Sequence, residues 1–384
     1  MKKTIKDINL EGKNVVIRVD FNVPLWEGKL MDDFRITSEA PTIKYCLDRG
    51  AKRIVILSHL GRPKGFEEAM SLFPVKERFE KIIGKKVIFI KGPIENSTIS
   101  NLPQEGLVLM DNLRFNPGEV KNEPSFSKIL ASMGDIYIMD AFSVAHRKHA
   151  SVYGVKNYAK EIVAGFLMME ELEFARRVNE NLEHPAVAVL GGKKISDKLT
   201  AIFYLQEKFD HILLGGGLPF TIMKAHGENI GLSPFEEDLL NRVKDVDIKK
   251  VKIPVDFVSA KDIKSKKTEI IKRDNIPSNV GCFDIGPNTV EEYLKFFYKA
   301  KTIIWAGPLG VYEEEQFSHG SLELGEGLEN VRDAYIAAGG GDTVSMVRKL
   351  KFDKFFTHLS TGGGASLKVL EGEKLPGITV IEDL

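Results

Sequence analysis

Hydrophobic residues in this chain come mostly in short unbroken runs, and most runs end in polar or charged residues. VVIRVDFNV (15–23), RIVILSHLGRP (53–63), KVIFI (86–90), LVLMDNLRF (107–115) and IYIMDAFSVAHR (136–147) succeed one another, with helix-like segments such as 41–49 between several of them. An unbroken apolar run of strand length describes a strand covered on both faces, and helices between such strands imply a parallel sheet. Residues 161–182 carry the longest helical spacing, with Ile162, Phe166, Met169 and Leu172, and the pattern stops before His184-Pro185; this segment is expected to connect two domains. The alternation then restarts in AVAVLGGKKISDK (186–198), HILLGGG (211–217), VKIPVDFV (251–258), KTIIWAGP (301–308), YIAA (335–338) and KFFTHLSTGGG (354–364). Residues 261–279 are charged and weakly patterned, which predicts surface strands or an excursion. The expected fold class is α/β, with two doubly wound parallel-sheet, Rossmann-like domains facing each other across a cleft, over 1–160 and 183–367.

Open α/β sheets bind ligands beyond the carboxyl ends of their strands, so the polar run ends are the candidate chemistry. In the first half they collect Asp20, Asn22, Arg35, His59, Arg62, Arg114, Arg147 and His149. Arginine presents a planar fork of donors, so this set suits a small, multiply anionic substrate whose hydroxyls Asp20 and Asn22 could take. Each residue also has a plain structural explanation: an Asx turn for Asp20 and Asn22, a satisfied interior histidine for His59, solvation for Arg35. Recurrence after successive strands is what favours a site.

The second half has glycine turns instead, at 191–192, 215–217, 307, 339–341 and 362–364, with Lys193, Lys194 and Lys198 in or after the first. Gly339-Gly340-Gly341-Asp342-Thr343 stands between a strand and a helix start, where backbone can approach a ligand and unpaired N–H groups favour phosphate. Lysine point charges suit polyphosphate, and Asp342 suits Mg²⁺ accompanying a nucleotide. The alternative is that the glycines only make tight connections and Lys198 is solvated.

Composition narrows this picture. A chain of 384 residues fits two domains. Basic and acidic residues balance at 54 each with a pI near 7.1, which argues against a nucleic-acid surface or a polybasic membrane arm. Cys46 and Cys282 have no Cys-x-x-Cys spacing, so neither a disulfide framework nor a zinc site is expected and a reducing cytoplasm is. The start of the chain lacks an apolar signal core, and no apolar run is long enough to span a bilayer. Each Gly-Lys pair is followed by Asn14, Leu30, Lys86 or Lys194, so there is no P-loop; the dinucleotide glycine fingerprint and the protein-kinase motifs are absent too. Phosphoryl transfer between an anionic substrate and a nucleotide is the reaction these features suggest.

RVDFNVPL (18–25), SHLGRPKG (58–65), NLRF (112–115), AHRKHAS (145–151), SDK (196–198), DIGP (284–287), GGGDT (339–343) and STGGGAS (360–366) occur in this order over essentially the whole chain. The sequence resembles the phosphoglycerate kinase family. The resemblance implies reversible glycolytic transfer from 1,3-bisphosphoglycerate to Mg-ADP, giving 3-phosphoglycerate and ATP, by in-line transfer with domain closure about 161–182. It implies 3-phosphoglycerate binding by Asp20, Phe21, Asn22, Arg35, His59, Leu60, Gly61, Arg62, Arg114 and Arg147. Nucleotide contacts fall to Lys194, Lys198, Gly216, Gly217, Gly286, Glu313, Gly340, Gly341, Asp342 and Thr343, with Glu313 on the ribose and Asp342 on the Mg²⁺ side. Arg35, Lys194, Lys198, Gly363 and Gly364 are implied around the transferring phosphoryl group. The tail, 368–384, is expected to return to the first domain, and the protein to be a monomer.

Four departures stand out. Ala306 replaces the asparagine of the usual W-N-G-P run; Ser143-Val144 stands where Gly-Thr or Gly-Ser precedes AHR; Lys193 replaces a small residue; and Gly217-Leu218-Pro219 differs from the usual run. Two rival readings are a nicotinamide dehydrogenase, disfavoured by the missing glycine fingerprint, and a non-catalytic nucleotide- or metabolite-binding protein, for which Ala306 is the hint.

Overall fold

The computed structural model describes all 384 residues, which divide into two compact units, one of Met1–Glu173 with Lys374–Leu384 and one of Phe174–Glu373. In the first, β1 (Asn14–Arg18), β2 (Arg53–Leu57), β3 (Val87–Ile90), β4 (Gly106–Met110), β5 (Ile136–Met139) and β6 (Ile162–Ala164) form one parallel sheet in the order β3-β4-β2-β1-β5-β6. Unbroken apolar runs make such a sheet because both faces are covered. Val15, Ile17, Ile54, Ile56, Leu107 and Leu109 join one core with Ile36, Ala40, Ile43 and Cys46 of helix Phe34–Asp48, while Val16, Val55 and Val108 are buried on the opposite face. The chain builds outward from β1 to one side and then, through β5, to the other, so the crevice at their carboxyl ends is the topological switch point.

The segment 161–182 differs from its expected form. Ile162–Ala164 is a strand paired with β5, and the helix is Phe166–Asn179; the division between the units falls within it. Three buried apolar residues next to a helical pattern look like its first turn, but they are captured by the backbone of the sheet. Gly165 stands at the break, where a Cβ would lie 2.3 Å from the Asp140 carboxyl. The tail also differs at its start. Residues 368–373 stay with the second unit, where Asn179 Nδ2 donates to the Val369 carbonyl and Gly372 lies against the Tyr204 ring. From Lys374 the chain rejoins the first unit through Gly377 N–H to Ala145 O (2.8 Å) and Glu382 N–H to Ile162 O (3.1 Å).

The second unit holds β7 (Ala186–Leu190), β8 (His211–Leu214), β9 (Val251–Lys252), β10 (Asp256–Ala260), β11 (Glu269–Lys272), β12 (Gly281–Ile285), β13 (Thr302–Ala306), β14 (Tyr335–Ala338) and β15 (His358–Leu359). Its parallel sheet runs β9-β8-β7-β13-β14-β15, with the switch point between β7 and β13. The run 251–258 is two strands, not one. Pro254 has no N–H for a ladder, so β9 ends against β8 and β10 starts a separate antiparallel sheet in the order β11-β10-β12. The charged excursion supplies its surface strand, β11.

Candidate active site

At the end of β1, Asp20 and Asn22 do form the Asx turn that their sequence allows, with Asn22 N–H donating to Asp20 Oδ1 at 3.0 Å. The turn leaves both side chains with more to do. Asp20 Oδ2 pairs with Arg35 and accepts from the Ser143 hydroxyl, while Asn22 Oδ1 accepts Gly61 N–H at 2.9 Å. The ends of β1, β2 and β5 and the start of helix Phe34–Asp48 are thereby drawn to one point. Asp20 is itself held from below, its N–H donating to Glu39 Oε1 at 2.7 Å.

His59 lies 3.9 Å from Asp20 Oδ1, yet the two are not an ion pair. Burial, then the guanidinium groups of Arg18, Arg114, Arg35 and Arg147, hold the imidazole well below its ordinary value, so it is neutral. Arg18 Nη2 is 3.2 Å from His59 Nδ1 and can only donate, which makes Nδ1 the acceptor and leaves the proton on Nε2.

Arg114 is fixed by Asn112, whose Oδ1 accepts Arg114 N–H at 3.0 Å, and its Nη1 donates to the Gly61 carbonyl. Its Nε is buried without an acceptor, as is that of Arg147. Buried donors left over in this way are what an anion satisfies. Burial, with Arg18, Arg147 and Arg62 nearby, pulls the Arg114 guanidinium down to about 10, which records a surplus of positive charge. Arg62 is exposed. Phe21 and Leu60 play a different part: both side chains are buried, Phe21 against Phe79 with ring centroids 5.0 Å apart, and the Leu60 carbonyl accepts Asn112 Nδ2 at 2.6 Å. They are framework, with only their backbone near the basic set.

The second unit builds its site from backbone. Gly191, Gly216, Gly217 and Gly307 interlock: a Cβ on Gly191 would lie 2.0 Å from Pro308 O, one on Gly307 2.2 Å from Gly191 O, and one on Gly217 2.2 Å from Lys193 O. Gly307 also has φ +111°, where side-chain-bearing residues are strained. Gly216 and Gly217 spend their N–H groups on the Leu309 and Gly192 carbonyls, both at 2.7 Å, so they shape the turn without offering donors. Thr343 is likewise internal. Its hydroxyl accepts Gly307 N–H and donates to Gly339 O, both at 2.8 Å, stitching the β13 turn to the β14 turn.

Around this frame, Gly340 (φ +103°) caps helix Gly341–Lys349 with open space at Gly341, and Asp342 is exposed in the first turn. Gly363 (φ +51°), also open, caps helix Gly364–Leu370. Burial lowers the Lys198 ammonium, opposed by Asp197, Glu371 and Asp342, so Lys198 and Asp342 sense each other's charge. Lys194 and Glu313 are exposed. Gly286 is buried and has a packing reason, since a Cβ there would lie 2.3 Å from the Asp256 carboxyl that caps helix Pro287–Phe297. Ala306 is buried as the last residue of β13.

No group of three or more His, Cys, Asp or Glu side chains is arranged to hold a metal, and no helix is long and apolar enough to cross a membrane. Sequence reasoning gave no site role to Arg18, Glu39 and Asn112, and noted Ser143 only as a departure from the family pattern. Arg18 carried a signal, since a charge inside an unbroken apolar run must be buried with partners.

A profile of the family described as phosphoglycerate kinase matches residues 5–373. The chain belongs to the phosphoglycerate kinase family. The phosphoglycerate kinase of Dictyoglomus turgidum is 43% identical over 396 residues, spanning 100% of this chain and 99% of that protein, and that of Thermosipho africanus is 44% identical, spanning 99% and 98%. The structure of phosphoglycerate kinase from Coxiella burnetii superposes with a TM-score of 0.90 at 37% identity, covering 99% of this chain and 98% of that one. That of Pyrococcus horikoshii superposes at 0.85 with 28% identity, covering 98% of each.

Proposed function

We infer that this chain is a phosphotransferase that moves a phosphoryl group reversibly between 1,3-bisphosphoglycerate and ADP, the activity named for its relatives. The observation that carries the reading is the basic set of the first unit, where Arg114 and Arg147 keep buried Nε–H groups without an acceptor beside Asp20, Arg35 and neutral His59. In this reading Arg62, Arg114 and Arg147 anchor 3-phosphoglycerate, His59 Nε2–H and Asn22 meet its oxygens, and Arg35 turns to the transferring group. Lys194, Lys198 and the N–H groups at Gly341 to Thr343 take the nucleotide phosphates, and Glu313 the ribose. Transfer of this kind needs alignment and charge neutralisation more than covalent help, so no protein nucleophile is required.

A lone Asp342 at a helix start fits Mg²⁺ well, because that ion is held by one or two carboxylates together with substrate phosphates. When bound with nucleotide, it neutralises charge on the phosphate oxygens. Each unit carries half of the chemistry, so turnover requires the two ligand sets to meet, and we place the pivot in 161–182. Ala306 leaves the nucleotide turn intact, since Gly307 N–H is satisfied by Thr343. A reducing cytoplasm accords with two buried free thiols, Cys46 and Cys282.

The test is a coupled assay of ATP formation from 1,3-bisphosphoglycerate and Mg-ADP. Sustained ATP release is expected. Ligand binding without ATP release would leave the non-catalytic reading in its place.

A further inference from the structure

Beneath the basic set lie two carboxyl groups that phosphoryl transfer does not use. Glu39, from helix Phe34–Asp48, and Asp140, just past β5, are both fully buried. One oxygen of each is committed: Glu39 Oε1 accepts Asp20 N–H at 2.7 Å, and Asp140 Oδ1 accepts Met168 N–H at 2.9 Å in the first turn of helix Phe166–Asn179. The other two, Glu39 Oε2 and Asp140 Oδ2, are buried and receive no N–H or O–H donor from elsewhere. The backbone holds both groups to one place: Asp20 N–H meets Glu39 while Asp140 N–H donates to Arg18 O at 3.0 Å. Thr42, one turn on from Glu39, accepts Phe166 N–H at 2.9 Å beside the Met168 N–H that Asp140 accepts, so the two carboxyl groups face each other in contact. Ionised carboxylates only accept, so this contact requires one proton. Gly165 makes room for it, because any Cβ there would collide with the Asp140 carboxyl.

We propose that Glu39 and Asp140 form a carboxyl pair sharing one proton, which positions Asp20 and Arg35 for the substrate and ties their loop to the start of helix Phe166–Asn179. Neither residue touches substrate; both are positioning residues. Burial first, then the neighbouring Asp140 carboxyl, raises Glu39 well above the ordinary range, and burial raises Asp140 to about 6, so at neutral pH Glu39 donates and Asp140 accepts. The titratable and charged groups facing the pair are Arg18 from β1, Arg35 one turn earlier and Cys46 later on Glu39's own helix, and Glu170 from helix Phe166–Asn179; the Thr42 hydroxyl also lies toward Asp140. Both values are raised on folding, so the stability the pair contributes is complete below the ordinary carboxyl range. It is lost as pH climbs through about 6 and then through the higher Glu39 value.

Amide variants expose the shared proton. In Glu39→Gln the carboxamide oxygen still accepts Asp20 N–H while its NH₂ donates permanently to Asp140. In Asp140→Asn the oxygen still accepts from Met168 while the NH₂ donates to an ionised Glu39. In the double variant two NH₂ groups meet, and neither has an acceptor. Glu39→Ala should therefore raise the KM for 3-phosphoglycerate about tenfold or more, Glu39→Gln should bring it back to within about threefold of wild type, and the double variant should exceed the product of the two singles by about tenfold. Glu39→Gln should also flatten the fall in stability as pH rises. These kinetic arms rest on the phosphotransferase reading. Thermal unfolding of the ligand-free protein across pH does not, and it must show the same non-additivity. Additive amide variants, or a Glu39→Gln as damaged as Glu39→Ala with an unchanged pH profile, would overturn the proposal.

Discussion

The two units are built to hold anions, in the function proposed for them, by opposite means. The first uses side chains: Arg114, Arg147 and Arg35 surround a neutral His59, with Arg114 positioned by Asn112 and Arg35 paired with Asp20. The second uses backbone: its turns lie so close that Gly191, Gly217 and Gly307 have no room for a methyl group, and one hydroxyl, that of Thr343, joins two of them. A three-carbon acid is recognised by its charges, which arginine forks match individually. A polyphosphate is long and needs a surface that backbone can follow closely. The first site should thus fail when a charge is lost and the second when a shape is lost.

The largest effect should come from Gly307→Ala. Its φ of +111° and the 2.2 Å approach to Gly191 O together predict a cost of about 4 kcal/mol, roughly a thousandfold in nucleotide affinity. Titration of Mg-ADP checks this, and near-normal affinity would break the backbone half of the comparison. Next come Arg35→Ala and Lys198→Ala, each losing a charge that we propose stabilises the transferring group. A drop in kcat of about a hundredfold, about 3 kcal/mol, is expected with unfolding little changed, and normal turnover in both would remove these residues from the chemistry. Thr343→Val should be smaller, leaving Gly307 N–H and Gly339 O unsatisfied at about 2 kcal/mol in denaturant unfolding, with Thr343→Ser close to wild type.

Much of this was legible in sequence, for a physical reason. Strands covered on both faces leave unbroken apolar runs, and ligand chemistry at a parallel sheet must follow the runs directly, so Asp20, His59, Arg114 and the glycine turns announce themselves. Short elements were harder to read. Ile162–Ala164 is too brief to show a period of its own, and Pro254 divides a run that looks continuous. Residues whose role depends on a distant partner were not legible at all: Glu39 sits mid-helix, and only the fold brings it to Asp20 and Asp140. The glycines were found, but the use of Gly216 and Gly217 N–H groups inside the protein required coordinates.

The most direct test of the division of labour is calorimetric titration of Arg114→Ala with each ligand separately. Loss of a buried, charge-assisted contact predicts a Kd for 3-phosphoglycerate raised about tenfold or more, with the Kd for Mg-ADP unchanged within about twofold. Equal weakening of both ligands would contradict the assignment of one ligand to each unit.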